Sequence, residues 1–255
     1  MSWACQIELE NRDRPGPIHS ENQLKHRGIL VDWLFEVFQK FSISIDAQLA
    51  TIALLDRSLA AGQIPSNQLQ IVGVACCYIA CSYTEVAPPE IYDFVWIARE
   101  LFSDIELCGR VRAIFAALDY NITAPTSLVF YRLLGPHSDA VYKTGAYIIL
   151  LMAVDGIMGH RVAIAALCIS QALHTDGTIV WPDRLTTIAN ADQAFSYTKE
   201  IVGYMTMDTL YTKYFKHENK MFKMPLVDYI ISDHRANWSI LLSKINSDGP
   251  CVRSE

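Results

Sequence analysis

The sequence has no excess of positive charge and no long apolar run, and each absence argues against a class of protein. Its 255 residues include 21 Lys and Arg against 27 Asp and Glu, a formal net charge of −6. Proteins that bind nucleic acid through its phosphates need clustered Lys and Arg, so no nucleic-acid partner is expected. The longest uncharged apolar stretches, residues 144–154 and 162–175, are too short to span a bilayer. No membrane partner is therefore expected.

Signals for secretion, disulfides, metals and catalysis are also missing. The first residues lack a basic segment followed by an apolar run, so we expect no secretory signal and an intracellular protein, nuclear or cytoplasmic. The 7 cysteines are odd in number and lie mostly in apolar segments, which favours reduced core thiols. No Cys-x-x-Cys pair or His cluster completes a metal site. No hydrolase, P-loop or zinc-protease motif is present, so we expect no metal, no cofactor and no enzyme.

Apolar residues at helical spacing are abundant, and helix start and stop signals divide the first half into five segments. Hydrophobic residues make up 51% of the chain, enough for a large core. Apolar side chains surround most of the segment from His26 to Phe41, which predicts a central helix. Asp46 is the predicted cap of the second helix, which closes at Gly62. The later segments start at Ser66, at Pro88-Pro89 and at the capping box Ser103-Asp104-Ile105-Glu106.

The second half has the same pattern of helical segments, after a break at residues 124–126. Helical segments are predicted over 126–134, 140–154, 160–174, a short turn led by Pro182, and 191–215. No strand pattern of alternating polar and apolar residues separates them. We therefore predict an all-α fold of two tandem five-helix bundles. The expected parts are an arm or short helix at 1–25, a first bundle at 26–123, a second at 124–231 and a tail at 232–255.

Several short motifs resemble those of the cyclin family, in particular the A/B-type cyclins. Residues 26–34, H-R-G-I-L-V-D-W-L, resemble the family's M-R-A-I-L-V-D-W-L at the start of the first cyclin box. Further matches follow in order: L-D-R-S-L at 55–59, L-Q-I-V-G at 69–73, A-P-P-E at 87–90, D-F-V-W-I at 93–97, L-D-Y-N-I at 118–122 and W-P-D-R-L at 181–185. The resemblance implies two cyclin boxes and a regulatory subunit that binds and activates a cyclin-dependent kinase, forming a heterodimer.

The resemblance also implies a docking groove for Arg-x-Leu segments of substrates or inhibitors. The matched residues are Ile29, Leu30, Trp33, Glu36, Leu69 and Gln70. The chemistry suits the role, because Trp33 and the aliphatic residues offer a slot for leucine and Glu36 can pair with arginine. The alternative from periodicity alone is that Trp33 and Leu30 are ordinary core residues. A further match, Arg27 with Asp56, implies a structural ion pair buried between two helices.

The kinase interface implied by the resemblance departs from the family pattern at two positions. The matched residues are Ile79, Ser82, Tyr83, Glu85, Val111, Phe115, Tyr120 and Ile122. Ser82 and Val111 stand where cyclins usually carry a lysine and a glutamate. Two explanations remain open: a kinase interface held mainly by apolar contacts, or a cyclin-fold adaptor in transcription or scaffolding that binds partners without activating a kinase. The arm has no R-x-x-L-x-x-x-x-N or K-E-N destruction signal, which suits a short, virus-encoded or divergent cyclin.

Overall fold

The computed structural model describes Trp3, residues 6–7, 21–135, 138–174, 179–181 and 185–204, Ser243 and residues 252–253. Over these residues the chain is almost entirely helical, as predicted. The helices are α1 (Glu21–Lys40), α2 (Ile45–Ala61), α3 (Leu69–Thr84), α4 (Ile91–Ile97), α5 (Asp104–Ala117), α6 (Ser127–Leu133), α7 (Asp139–Val154), α8 (His160–Leu173) and α9 (Ala191–Tyr204), with a 3-10 turn at Ser66–Gln68.

The chain divides into two compact units. One contains Glu8–Thr126 together with Ala153–Gly156, and the other contains Met1–Ile7, Ser127–Met152 and Ile157–Glu255. The unit formed by Glu8–Thr126 is called the first unit below, and it contains helices α1 to α5.

Helix α3, not α1, lies at the centre of the first unit. It packs against α1, α2, α4 and α5, and its residues Val72 to Cys77 are all buried. The prediction that α1 is central was wrong. Helix α1 buries Leu34 and Phe38 but leaves Ile29 68% exposed. The sequence pattern counts apolar residues but cannot distinguish those that fill the core from those that lie at the surface.

Local hydrogen bonds explain where the helices of the first unit begin. Ser103 and Glu106 form the predicted capping box: the Ser103 Oγ accepts from the Glu106 backbone N–H at 3.2 Å, and the Ser103 N–H donates to Glu106 Oε2 at 2.7 Å. A second box joins Glu90 and Asp93 at the start of α4. The predicted cap Asp46 was wrong, because the Ser44 hydroxyl accepts the Ala47 N–H at 3.3 Å and α2 begins at Ile45. Gly62 ends α2 in an extended conformation.

The described part of the other unit contains helices α6 to α9. Helix α8 is buried along most of its length and packs against α6 and α9. Tyr131 of α6 is fully buried, and its hydroxyl donates to the Val141 carbonyl at 3.0 Å. A parallel pair of two-residue strands, Ile179–Val180 with Val252–Arg253, was not predicted. The predicted Pro182 turn and residues 205–215 lie outside the described residues.

Four of the five described cysteines are core thiols, and Cys108 is half-buried. Cys76, Cys77, Cys81 and Cys168 are free and buried. Burial raises the pKa of the Cys76 and Cys168 thiols to about 12, which keeps both protonated at neutral pH.

Two features are absent from the residues that the structure describes. None of their helices is both long and apolar enough to cross a membrane. In this part of the chain, no group of three or more His, Cys, Asp or Glu residues could hold a metal ion.

Candidate functional site

The predicted docking groove lies on the first unit, along α1 and at the start of α3. Ile29, Trp33 and Glu36 are spaced at i, i+4 and i+7, so they share one face of α1. Ile29 and Glu36 are exposed and Trp33 is half-buried. This face therefore presents two apolar side chains and then a carboxylate to solvent.

The two leucines of the docking groove belong mostly to the core beneath it. Leu30 is 6% exposed and Leu69 is 5% exposed. Leu30 lies against α3 at Gly73, where an added Cβ would come within 2.9 Å of its Cδ1. Gly73 thus allows α1 and α3 to approach closely. Gln70 is half-buried at the start of α3. The docking-groove residues therefore comprise two buried leucines, the half-buried Trp33 and Gln70, and the exposed Ile29 and Glu36.

The predicted kinase interface is built on α3, α5 and the segments that follow them. We call these residues the kinase face: Ile79, Ser82, Tyr83, Glu85, Val111, Phe115, Tyr120 and Ile122. Helices α3 and α5 pack against each other, which places the two halves of the set on neighbouring elements. Tyr83 is 67% exposed and Tyr120 is 75% exposed. Val111, Phe115 and Ile122 are half-buried. Ile79 is buried and supports this surface from beneath.

The backbone after α5 holds Tyr120 away from the core. Asp119 and Tyr120 have φ angles of 50° and 59°, in the left-handed region that non-glycine residues rarely occupy. The Tyr120 N–H donates to the Phe115 carbonyl at 2.8 Å and closes the turn. The two rings lie 6.2 Å apart between centroids. Backbone in this region is strained, and the result is an exposed aromatic side chain beside Phe115.

The polar members of the kinase face are already engaged within the first unit. Glu85 accepts the Ser44 N–H at 2.8 Å, so its carboxylate helps to hold the start of α2. The Ser82 hydroxyl donates to the Tyr78 carbonyl of its own helix at 2.7 Å. Ser82 and Val111 place no charge where the family usually has a Lys and a Glu. The described kinase face is therefore mainly aromatic and aliphatic.

Arg27 and Asp56 form the buried ion pair that the resemblance implied. Arg27 Nη2 donates to Asp56 Oδ2 at 2.9 Å, and Arg27 Nε donates to the other carboxylate oxygen. The same guanidinium donates to the Val154 and Ala153 carbonyls at 2.6 and 3.0 Å. Burial raises the pKa of the Asp56 carboxyl, while the hydrogen bonds and charge of Arg27 act to lower it. Both residues are structural and lie beneath the surface.

Arg57 supports the kinase face and was not assigned a role from the sequence. It is buried, and its Nη2 donates to the Asn121 carbonyl at 2.5 Å. Asn121 lies between Tyr120 and Ile122, so Arg57 positions the turn that carries both. The one signal in the sequence is a second charged residue beside Asp56 in the motif L-D-R-S-L, and the partner of Arg57 is 64 residues away. Local patterns cannot reveal such a pairing.

These surfaces define the class of molecule: a helical protein-interaction domain. The first unit carries exposed aromatic and aliphatic side chains in the docking groove and the kinase face, and also elsewhere, for example at Tyr92, Trp96 and Leu101. Exposed aromatic residues held by a packed core are typical anchors of protein interfaces.

Comparison with known proteins finds similarity to cyclins. Residues 3–123 match the model of the cyclin N-terminal domain. The chain is 31% identical over 175 residues to G2/mitotic-specific cyclin-B2 of Oryzias javanicus, covering 66% of this chain and 46% of the relative. It is 28% identical over 191 residues to G2/mitotic-specific cyclin-A of Drosophila melanogaster, covering 71% of this chain and 39% of the relative. Residues 3–123 of the chain are thus similar to a cyclin N-terminal domain.

A solved structure shares the fold. The X-ray structure of a viral cyclin from herpesvirus saimiri aligns with a TM-score of 0.56 at 16% identity, covering 94% of this chain and 97% of that chain. The chain spans less than half the length of the two curated relatives named above, 46% and 39%.

Proposed function

We propose that this protein binds a cyclin-dependent kinase through the kinase face and holds the kinase in its active conformation. A kinase is active when its αC helix lies inward and the Lys–Glu pair is assembled. A rigid surface that binds only the inward position shifts the population toward that state. The protein then acts inside the cell, in the nucleus or the cytoplasm, as a regulatory subunit that performs no chemistry.

The observation that carries the proposal is the pair of exposed tyrosines on a supported surface. Tyr83 and Tyr120 extend into solvent, and Arg57 holds the turn next to Tyr120 through the Asn121 carbonyl. A surface that is already rigid loses little conformational entropy on binding. The family match over residues 3–123 makes a kinase the expected partner.

The docking groove completes the proposed function by recruiting substrates or inhibitors. An Arg-x-Leu segment would place its arginine beside the exposed Glu36 and its leucine beside Trp33, above the buried Leu30 and Leu69. This arrangement separates recruitment from activation, because the docking groove and the kinase face use different residues.

The first experiment is co-purification from a cell extract with tagged protein, followed by a kinase assay. The wild-type chain should retain a cyclin-dependent kinase and raise its activity. Tyr83→Ala should weaken kinase binding about tenfold or more, as expected for an exposed aromatic anchor. Tyr92→Ala is the matched control, because Tyr92 is equally exposed on α4 of the same unit but is not part of the kinase face. Equal effects of the two variants, or no kinase in the eluate, would contradict the proposal.

A second candidate is a cyclin-fold adaptor that binds partners without activating a kinase. The observation in its favour is the joint replacement at Ser82 and Val111, which leaves no charged pair in this part of the kinase face. Ser82→Lys combined with Val111→Glu separates the two candidates. A large gain in kinase affinity would support a degenerate interface and the adaptor function. No gain, or a loss, would support an interface that relies on apolar contacts.

A further inference from the structure

A cavity of about 590 Å³ lies in the first unit between the start of α3 and α5. This volume is within the range of sites that hold small ligands or a few residues of a peptide. Its apolar lining includes Ile71, Leu101 and Phe102, and Leu101 is largely exposed. The polar lining consists of Asn67, Gln68, Gln70, Glu106 and Arg110.

Glu106 and Arg110 give the cavity an acceptor and a donor one helical turn apart. The Ser103 N–H and hydroxyl both donate to Glu106 Oε2, at 2.7 and 2.9 Å, which leaves Oε1 available. These hydrogen bonds lower the pKa of Glu106, which keeps its carboxylate charged. Arg110 Nη2 donates to Gln68 Oε1 at 2.5 Å, and its other N–H groups remain available. Residues at i and i+4 lie about 5–6 Å apart at Cβ.

This pair of groups favours an uncharged amide over a charged side chain. A carboxamide accepts through its oxygen and donates through its NH2 group, so it can use Arg110 and Glu106 together. A ligand carboxylate would be attracted by Arg110 and repelled by Glu106. An ammonium group would be attracted by Glu106 and repelled by Arg110. The Gln70 and Asn67 amides can also pair with a peptide backbone.

The cavity and the docking groove share one residue, Gln70. Gln70 belongs to the docking groove and also lines the cavity, and it follows Leu69 directly. A peptide whose arginine lies at Glu36 and whose leucine lies at Leu69 would continue past Gln70. Each further extended residue adds about 3.3 Å, so a few residues suffice to enter the cavity.

We propose that the cavity binds the residues that follow the leucine of a docked Arg-x-Leu segment and selects Asn or Gln among them. The inference rests on the proposed docking function and adds a specificity site to it. The cavity then discriminates among partners that all carry the same Arg-x-Leu core.

Fluorescence polarisation with labelled peptides tests the assignment on the full chain. One peptide is Ala-Arg-Ala-Leu alone, and a set of longer peptides carries one Gln among alanines after the leucine, with Glu and Lys versions of each. The best Gln peptide should bind about tenfold more tightly than the short peptide, because its amide makes hydrogen bonds to charged groups. The Glu and Lys versions should lose most of this gain.

Gly109 allows the cavity to be filled without disturbing the fold. It lines the cavity, and a Cβ added there meets nothing within 4 Å. Gly109→Leu should therefore remove the gain of the Gln peptide and leave the short peptide unchanged within about twofold. Gly109→Ala removes the destabilising effect of glycine in a helix but adds only one methyl group to the cavity. This variant should keep the tighter binding of the Gln peptide. Gly203→Leu, at an exposed helical glycine in the other unit, should change neither peptide.

The outcomes separate this inference from the docking function. If the short peptide binds but no Gln peptide binds more tightly, or if the gain persists in Gly109→Leu, the cavity assignment is wrong and the docking groove stands. If Gly109→Leu weakens both peptides equally, the cavity is not a separate subsite and the inference is also overturned. If no Arg-x-Leu peptide binds the wild-type chain, the docking function fails and the inference fails with it.

Discussion

Replacing Arg27 by methionine removes four hydrogen bonds from the interior of the first unit while keeping an apolar side chain of similar length. Two of these bonds go to Asp56, and the others go to the Val154 and Ala153 carbonyls. Arg27 is 4% exposed and Asp56 is 5% exposed, so water cannot replace the lost donors. The variant therefore leaves a buried carboxylate without its counter-charge.

The expected loss is large compared with the stability of a domain. Removing one partner of a buried ion pair costs about 3–5 kcal/mol, because the remaining charge is uncompensated. A domain is stable by about 5–15 kcal/mol in total. Arg27→Met should therefore lower the free energy of unfolding by about a fifth or more. The double variant Arg27→Met with Asp56→Leu removes both charges and should recover at least half of the loss.

The pH dependence of Arg27→Met identifies the stranded carboxylate as the cause. Burial already raises the pKa of Asp56, and without Arg27 the two contributions that lower it are gone. The native state then binds a proton more tightly than the unfolded chain does. Protonation therefore stabilises the variant. Its loss of unfolding free energy relative to the wild-type chain is largest at neutral pH and becomes smaller as the pH falls toward the ordinary carboxyl range.

Urea unfolding followed by far-UV circular dichroism at pH 7 and pH 5 measures both effects. Arg112→Met is the matched control, because Arg112 is exposed on α5 of the same unit and should change stability by no more than about 0.5 kcal/mol. A loss below about 1 kcal/mol in Arg27→Met would refute the reasoning. So would a loss that is equal at the two pH values, or a double-mutant cycle without coupling between the two sites.

Four other substitutions test the helical body and the docking groove. Gly145→Ala should destabilise its unit by about 1–3 kcal/mol in thermal unfolding, because a methyl group there overlaps a buried tyrosine ring; Gly203→Ala, in open space, should stabilise it by about 0.5–1 kcal/mol. Trp33→Ala should weaken Arg-x-Leu peptide binding several-fold to about a hundredfold and leave kinase binding nearly unchanged. Ser103→Ala should cost about 1 kcal/mol in urea unfolding at neutral pH. The hydrogen bonds from Ser103 lower the pKa of Glu106, so the contribution of the capping box is present above the ordinary carboxyl pKa and is lost as the pH falls through the lowered value.

Each of these predictions has an outcome that contradicts it. Equal effects of Gly145→Ala and Gly203→Ala would mean that the close approach at Gly145 is unimportant. Equal loss of peptide and kinase binding in Trp33→Ala would make Trp33 a core residue, the alternative that periodicity alone favours. Ser103→Ala keeps the backbone N–H bond to Glu106 and removes only the hydroxyl bonds, so a loss of stability that does not narrow on acidification would mean that the Ser103 hydroxyl does not stabilise the Glu106 carboxylate.

Features that depend on neighbours in the chain were predictable from the sequence. The Ser103–Glu106 box formed as predicted because its donors and acceptors are three residues apart. The cap of α2 was assigned to the wrong residue because long-range contacts contribute to that helix start. Ser44 begins α2, and the Glu85 carboxylate, 41 residues away, accepts its backbone N–H. A local pattern offered Asp46 as an equally good cap.

Local sequence patterns are equally limited for the exposed surfaces, because helical periodicity does not show which residues lie at the surface. Leu30 and Ile29 are adjacent apolar residues of one helix, yet one is buried against Gly73 and the other is 68% exposed. Helical spacing places them on different faces but does not say which face meets another helix. The motifs shared with cyclins indicated that Ile29 and Trp33 belong to a binding surface. In the structure the central position belongs to α3, and the face of α1 that carries Ile29 is open to solvent.

Ser82 and Val111 lack the charges that cyclins usually carry at these positions. Comparing the kinase face with the buried Arg27–Asp56 ion pair indicates how this loss can be tolerated. Arg27 and Asp56 are bonded to each other, so the loss of either leaves a buried charge. Positions 82 and 111 are exposed and half-buried, and their neighbours Tyr83 and Phe115 supply area without charge. When two opposite charges are lost together at such a surface, neither charge is left without its partner. Exposed ion pairs also contribute little to stability or binding. An interface of this kind should depend on Tyr83 and Tyr120 more than on salt. Kinase binding should therefore change little between low and moderate ionic strength, and a steep decline with salt would show that charges elsewhere carry the interaction.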